Sequence, residues 1–213
     1  MEVCTVADVG TTAARLLADR IGHGTADGKE YCVALSGGST PWAVFEELSE
    51  AQLAWARVHI FQVDERVAPR GHDDRNLTHL DEALTSRVAA HLHPMPVDDD
   101  DIWAGAYRYG AQLPASLDLV HLGLGDDGHT ASLAPADPVL EEHNCAVSLT
   151  DAYLGRVRMT LTYATLDNAA EIVWIVAGEH KRDMLRRLVA GDHDIPAGRV
   201  NPDRATVITD IAL

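Results

Sequence analysis

The chain of 213 residues predicts an α/β fold, a mainly parallel, doubly wound sheet with helices on both faces. Three observations lead there. Compact apolar runs of strand length, Tyr31–Leu35, Val58–Val63, Leu117–Leu124, Glu171–Ala177 and Ala205–Thr209, alternate at short spacing with stretches of helical periodicity. Glu171–Ala177 is apolar at consecutive positions, the pattern of a strand buried on both faces of a parallel sheet. Several runs break at their carboxyl ends into glycine-rich or charged turns, where open α/β sheets build ligand sites. With 46% hydrophobic residues and no repeat, low-complexity linker or sharp shift in composition, residues 1–213 read as a single domain.

In chain order, Asp8–Ile21 has apolar positions at helical spacing and stops at Gly22, His23 and Gly24. Tyr31–Leu35 runs directly into Ser36, Gly37, Gly38, Ser39, Thr40 and Pro41, and then into the helical WAVFEELSE. Strand, glycine turn and helix together turn free N–H groups and the positive end of a helix dipole toward an anion. Neither a GK[ST] Walker loop nor a GxGxxG dinucleotide fingerprint is present. The segment reads as a cradle for a small phosphate, or as a tight turn with Ser or Thr as N-cap and Pro41 at the first helical position.

Val58–Val63 ends in Asp64, Glu65 and Arg66, which suit a site at a strand end, a local ion pair or a solvated terminus equally well. A polar loop, Ala68–Asn76, precedes a helical pattern over Leu77–Val88. Asp98–Asp101 reads as the acidic first turn of a helix over Ile102–Leu113 that Pro114 stops, a matter of dipole complementation rather than metal binding.

Leu117–Leu124 then breaks into Gly123, Gly125, Asp126, Asp127 and Gly128 and presents His129 and Thr130 where a helix could begin. A histidine on such a turn approaches a small substrate closely. It is equally one of eleven histidines in the chain, most of which must be solvated. Beyond it, Cys145–Leu149 is a short strand, and Arg156–Leu166 alternates as a strand with Arg158, Thr160 and Thr162 on one side. Glu171–Ala177 delivers Gly178, Glu179, His180 and Lys181 at its end, with Lys181 opening a further helix.

The net charge of −16 argues against a nucleic acid or an anionic membrane as partner, both of which need a basic footprint. Any anionic ligand must be met by locally placed cations, and only Lys29 and Lys181 are lysines. Cys4, Cys32 and Cys145 are odd in number and widely spaced, so no disulfide framework or zinc pattern follows. The first residues lack a signal-peptide pattern and no apolar run approaches a membrane span, which makes the reducing cytoplasm the expected location.

Read together, LSGGSTP (Leu35–Pro41), VDER (Val63–Arg66) with Asn76 downstream, GLGDDGHTASLAP (Gly123–Pro135), RMTLTYATLDNA (Arg158–Ala169), VAGEHK (Val176–Lys181) and PAGRV (Pro196–Val200) resemble the 6-phosphogluconolactonases. The segments occur in that family's order and span nearly the whole chain. The resemblance implies a Rossmann-like sheet of the glucosamine-6-phosphate deaminase/ribose-5-phosphate isomerase type. It also implies hydrolysis of 6-phosphoglucono-1,5-lactone, a small-molecule sugar-phosphate partner, and neither organic cofactor nor essential metal.

Carried over by position, His129 matches the proposed general base and Asp127 a residue that orients it. Arg66 matches a substrate-facing arginine serving either phosphate or oxyanion. Gly37, Gly38, Ser39 and Thr40, with Asp64, Arg158 and Lys181, match the substrate- and phosphate-binding set, with Arg156 the alternative to Arg158. An imidazole base suits neutral pH because its unperturbed pKa is about 6.5, and a helix starting beside it would keep it uncharged. Asp126 stands where the family commonly has proline. The rival readings are a glucosamine-6-phosphate deaminase or isomerase, from which Arg66 and Leu133-Ala134-Pro135 depart, and a non-catalytic sugar-phosphate sensor.

Overall fold

The computed structural model describes residues 1–213. Its main sheet has seven parallel strands, β1 (Glu2–Thr5), β2 (Tyr31–Leu35), β3 (Val58–Gln62), β5 (His91–His93), β6 (Leu119–Leu122), β9 (Ile172–Val176) and β10 (Ala205–Thr209), ordered β1-β10-β9-β6-β2-β3-β5. Helices α1 (Val9–Gly24), α2 (Ser39–Ser49) and α3 (Asn76–Leu80) cover one face. Helices α4 (Ile102–Gln112), α5 (Tyr163–Asp167) and α6 (Arg182–Val189) cover the other. Alternation along β9 shows why its sequence is apolar throughout. Ile172, Trp174 and Val176 enter one core and Val173 and Ile175 the other.

A second, antiparallel sheet was not expected. It consists of β4 (Asp64–Arg66), β8 (Arg158–Leu161) and β7 (Val147–Leu149) in the order β4-β8-β7. The hinge between the sheets is Val63. Its N–H donates to Leu35 O at 3.1 Å, within reach of the main sheet, while its carbonyl accepts from Leu161 N at 2.8 Å. Asp64, Glu65 and Arg66 are therefore not the frayed end of β3 but a strand of their own.

Other local expectations also change. The strand pattern over Arg156–Leu166 ends at Leu161, and Tyr163–Asp167 turns helical. The helix after Leu77 widens into a π turn over Asp81–Thr85 and stops short of Val88. α2 starts at Ser39, with Gly38 (φ 140°) as N-cap and no side-chain cap, and Pro41 sits third in the helix. Short β1 and β5 carry too few apolar residues to signal themselves. No helix is long and apolar enough to cross a membrane.

In the main sheet the chain moves outward from β2 to β3 and β5 on one side, and from β6 to β9 and β10 on the other. The order reverses between β2 and β6, and the loops leaving their carboxyl ends part there, opening the crevice that such sheets use for ligands.

Candidate active site

A cleft of 420 Å³ occupies this crevice, and every residue expected at the site lines it: Gly37, Gly38, Ser39, Thr40, Asp64, Arg66, Asp127, His129, Arg158 and Lys181. β2 and its turn supply the first wall. The N–H groups of Gly37 and Gly38 donate to no backbone carbonyl, and those of Ser39 and Thr40, in the first turn of α2, have no intrahelical acceptor. The helix dipole adds a fixed positive potential at the same place. Beneath this turn, Ser36 N donates to Nδ1 of the fully buried His121 at 3.3 Å. Burial pushes the pKa of that imidazole down to about 3, so it supports the turn as a neutral acceptor.

The small sheet supplies the cations. Arg66 and Arg158 are direct partners across β4 and β8, and Asp64 pairs with Thr160 on the same face. Two like charges opposed across an antiparallel pair repel. Burial, then the neighbouring Arg66, hold the Arg158 guanidinium below its ordinary pKa. Each arginine also keeps a buried Nε without a partner. An anion between them would relieve both deficits. Arg156, by contrast, does not line the cleft and pairs with Asp74 at 2.7 Å, so of the two arginines Arg158 is the one at the cleft wall.

The acidic residues of β4 have framework duties. Asp64 accepts from Ser132 Oγ at 2.6 Å and from Asn76 Nδ2 at 3.3 Å, so both its oxygens are engaged by the protein. Glu65 is fully buried, and its partner is not Arg66 but Arg75, whose Nε lies 3.0 Å from Oε2. The same carboxylate accepts from Gln62 Nε2, Arg66 N, Asn76 N and Leu77 N, thereby capping α3 from a distant strand.

His129 sits on the turn after β6. Gly125 N donates to His129 O at 2.8 Å, and a Cβ on Gly125 would collide with the imidazole, so only glycine lets the ring fold back over the turn. No helix follows. Thr130 and Leu133 form an isolated bridge, and Ala131 adopts φ 51°. The expected influence of a helix N-terminus on His129 is thus absent, and its environment is set by side chains instead. Asp127 Oδ1 lies 2.5 Å from His129 Nδ1 and accepts from His129 N at 3.1 Å. Asp127 Oδ2 accepts from Tyr153 Oη at 2.7 Å. Burial works to raise the Asp127 carboxyl, and the bonds from Tyr153 and His129 outweigh it, holding the group below its usual pKa.

Tyr153 and Asp126 complete the rim. Tyr153 lines the cleft and was not anticipated, because nothing in its local sequence marks it; only the turn-forming Leu154-Gly155 beside it hints at a loop folded over the site. Asp126 Oδ1 lies 2.5 Å from Lys181 Nζ, and that bond lowers the Asp126 pKa. The cleft's lysine is thus already paired with an exposed carboxylate.

An imidazole held by a carboxylate, in one cleft with a backbone cradle and two opposed arginines, suits water attack on a carbonyl in a small anionic molecule. The family model described as glucosamine-6-phosphate isomerases/6-phosphogluconolactonase matches residues 5–209. The 6-phosphogluconolactonase of Synechocystis sp. is 33% identical over 91% of this chain and 84% of its own length. The crystal structure of 6-phosphogluconolactonase from Thermotoga maritima superposes with a TM-score of 0.89 at 26% identity, covering 98% of both chains. A monomeric glucosamine-6-phosphate deaminase superposes with a TM-score of 0.84 at 19% identity over 98% of this chain and 97% of its own, so the fold is common to both activities. The chain belongs to the glucosamine-6-phosphate isomerase/6-phosphogluconolactonase family.

Proposed function

We propose that the protein hydrolyses 6-phosphoglucono-1,5-lactone to 6-phosphogluconate in the oxidative pentose phosphate pathway, with His129 as general base. The observation that carries this reading is the cleft itself, where a carboxylate-held imidazole shares one crevice with Arg66, Arg158 and the N–H cradle. The phosphate dianion binds among the cradle, the arginine pair and Lys181. With Nδ1–H directed to Asp127, His129 Nε2 takes a proton from water as the water oxygen bonds to the lactone carbonyl carbon. The resulting oxyanion is stabilised by the positive potential of the cleft. On collapse the bond from that carbon to the ring oxygen breaks, and the imidazolium returns its proton to the leaving alkoxide. No acyl-enzyme is needed, since neither Ser36 nor Ser39 stands in a GxSxG elbow. Three unbridged cysteines fit work in a reducing cytoplasm.

The test is lactone disappearance, corrected for spontaneous hydrolysis, with freshly made 6-phosphogluconolactone beside unphosphorylated gluconolactone. Fast turnover of the phosphorylated lactone alone is expected. Tight sugar-phosphate binding without turnover, or ammonia release from glucosamine 6-phosphate, would overturn the reading in favour of a sensor or a deaminase. In the same assay Arg158→Met should reduce kcat/KM for the phosphorylated lactone by about tenfold or more, the size of a lost charge-assisted hydrogen bond.

Asp126 provides a second check. Its carboxylate competes with the substrate phosphate for Lys181, so Asp126→Asn should lower KM for the phosphorylated lactone about two- to fivefold, the scale of an exposed ion pair, with kcat unchanged. A KM that rises would show that Asp126 assists binding rather than opposing it.

A further inference from the structure

Resting on the lactonase reading, we propose that Tyr153 is a positioning residue that holds the Asp127–His129 pair and the Arg158 guanidinium in one arrangement, coupling the base to the anion-binding side of the cleft. Two contacts of a single side chain lead to this. Its hydroxyl donates to Asp127 Oδ2 at 2.7 Å and lies 3.3 Å from His129 Nδ1. Its ring lies under Arg158, with the guanidinium carbon 4.8 Å from the ring centroid.

The hydroxyl settles which nitrogen of His129 is the base. Burial and the hydrogen bond to Asp127 raise the phenol to about 12, so Tyr153 stays protonated and its one proton goes to Asp127 Oδ2. The phenol oxygen therefore offers Nδ1 only lone pairs, as does Asp127 Oδ1 at 2.5 Å. Two acceptors against Nδ1 demand a proton there and leave the lone pair on Nε2. Asp127 alone, on a turn between glycines, is free to rotate; bonded at both oxygens it is not. The ring restrains Arg158 in turn, whose buried Nε has no other partner.

Tyr153 is itself anchored. Its N–H donates to Arg156 O at 2.9 Å and its carbonyl accepts from Arg156 N at 3.2 Å, around a turn in which Leu154 (φ 51°) and Gly155 (φ 81°) are both left-handed. Arg156 then pairs with Asp74 on the far side. The loop is a strap fixed at one end to the base and at the other to the Ala68–Asn76 loop, with the exposed Leu154 at the mouth of the cleft. The groups that face the His129 ring are Asp127 from its own turn and Tyr153 from the strap, with Arg158 of β8 behind the phenol.

Two variants separate the contacts. Tyr153→Phe keeps the ring and removes the hydroxyl. It should lower kcat about tenfold, the loss of one hydrogen bond to a charged group, with KM nearly unchanged. The acid limb of its kcat/KM profile should move to higher pH, because Asp127 then concentrates its charge on the imidazole. Tyr153→Ala should add a rise in KM for the phosphorylated lactone as Arg158 loses its platform. A Tyr153→Phe enzyme with parental kcat and pH profile would overturn the proposal. A readout independent of turnover is 15N NMR of the His129 ring, assigned by difference from His129→Ala. The parent should show the Nδ1–H tautomer, and Tyr153→Phe a mixture. Loss of tautomer purity without any lactonase activity in the parent would refute the substrate and leave the positioning role standing. An Nε2–H tautomer in the parent would refute the role and leave the substrate untouched.

Discussion

Alanine in place of His129 is expected to lower kcat for 6-phosphogluconolactone by about 10²- to 10⁴-fold, the contribution of a positioned general base. KM should stay close to the parent value, because the groups assigned to phosphate lie on the turn after β2, the start of α2, β4, β8 and the turn after β9, none of which the imidazole supports. Thermal stability should hardly change. The ring folds back over Gly125 at the cleft surface and fills no core. What activity remains measures the cradle and the cations acting on water unaided. A variant retaining more than about a tenth of kcat would fall short of what a general base supplies and move the role elsewhere, with Asp127 the next residue to replace.

Glu65→Ala is expected to have the largest effect on stability, although Glu65 does not line the cleft. Its carboxylate is fully buried against Arg75, itself 1% exposed, and accepts four further hydrogen bonds from Gln62, Arg66, Asn76 and Leu77. Removing it strands a buried guanidinium and unties the start of α3. Breaking one partner of a buried pair costs about 3–5 kcal/mol, which for a domain of this size lowers Tm by roughly 10 °C. Calorimetry or a denaturant titration checks the figure, and a loss below about 1 kcal/mol would mean that water or a local rearrangement satisfies Arg75. Because Arg66 N is one of the bonded donors, kcat/KM should fall as well even where the variant remains folded.

The contrast between these two residues shows what the sequence could and could not convey. β2, β9 and β10 are legible because burial on both faces forces an unbroken apolar run. β1 and β5 are half-exposed edge strands of four and three residues, too short for any periodicity to stand out. The SGGSTP turn and the glycines around His129 are legible because close backbone approach demands small residues. Asp-Glu-Arg is visible as charge, yet its assignment depends on Val63 leaving one sheet for another, and no local pattern encodes that. Nor does anything near Arg66 reveal that Arg158 will sit opposite it. Tyr153 is the extreme case, since a tyrosine in a loop gains its meaning only when tertiary structure lays it against Asp127.

The strand order also governs how the molecule is made. β1 pairs only with β10, and β10 lies between β1 and β9, so β1 has no neighbour in the sheet until β10, far along the sequence, is in place. Closing so long a loop is entropically slow, and contacts of this range delay folding. α1 and α2 pack on one another and can begin to associate early, but β1 stays unpaired until β10 is available. A chain cut short before β10 should therefore be readily cleaved near β1, and the chain that includes β10 protected there.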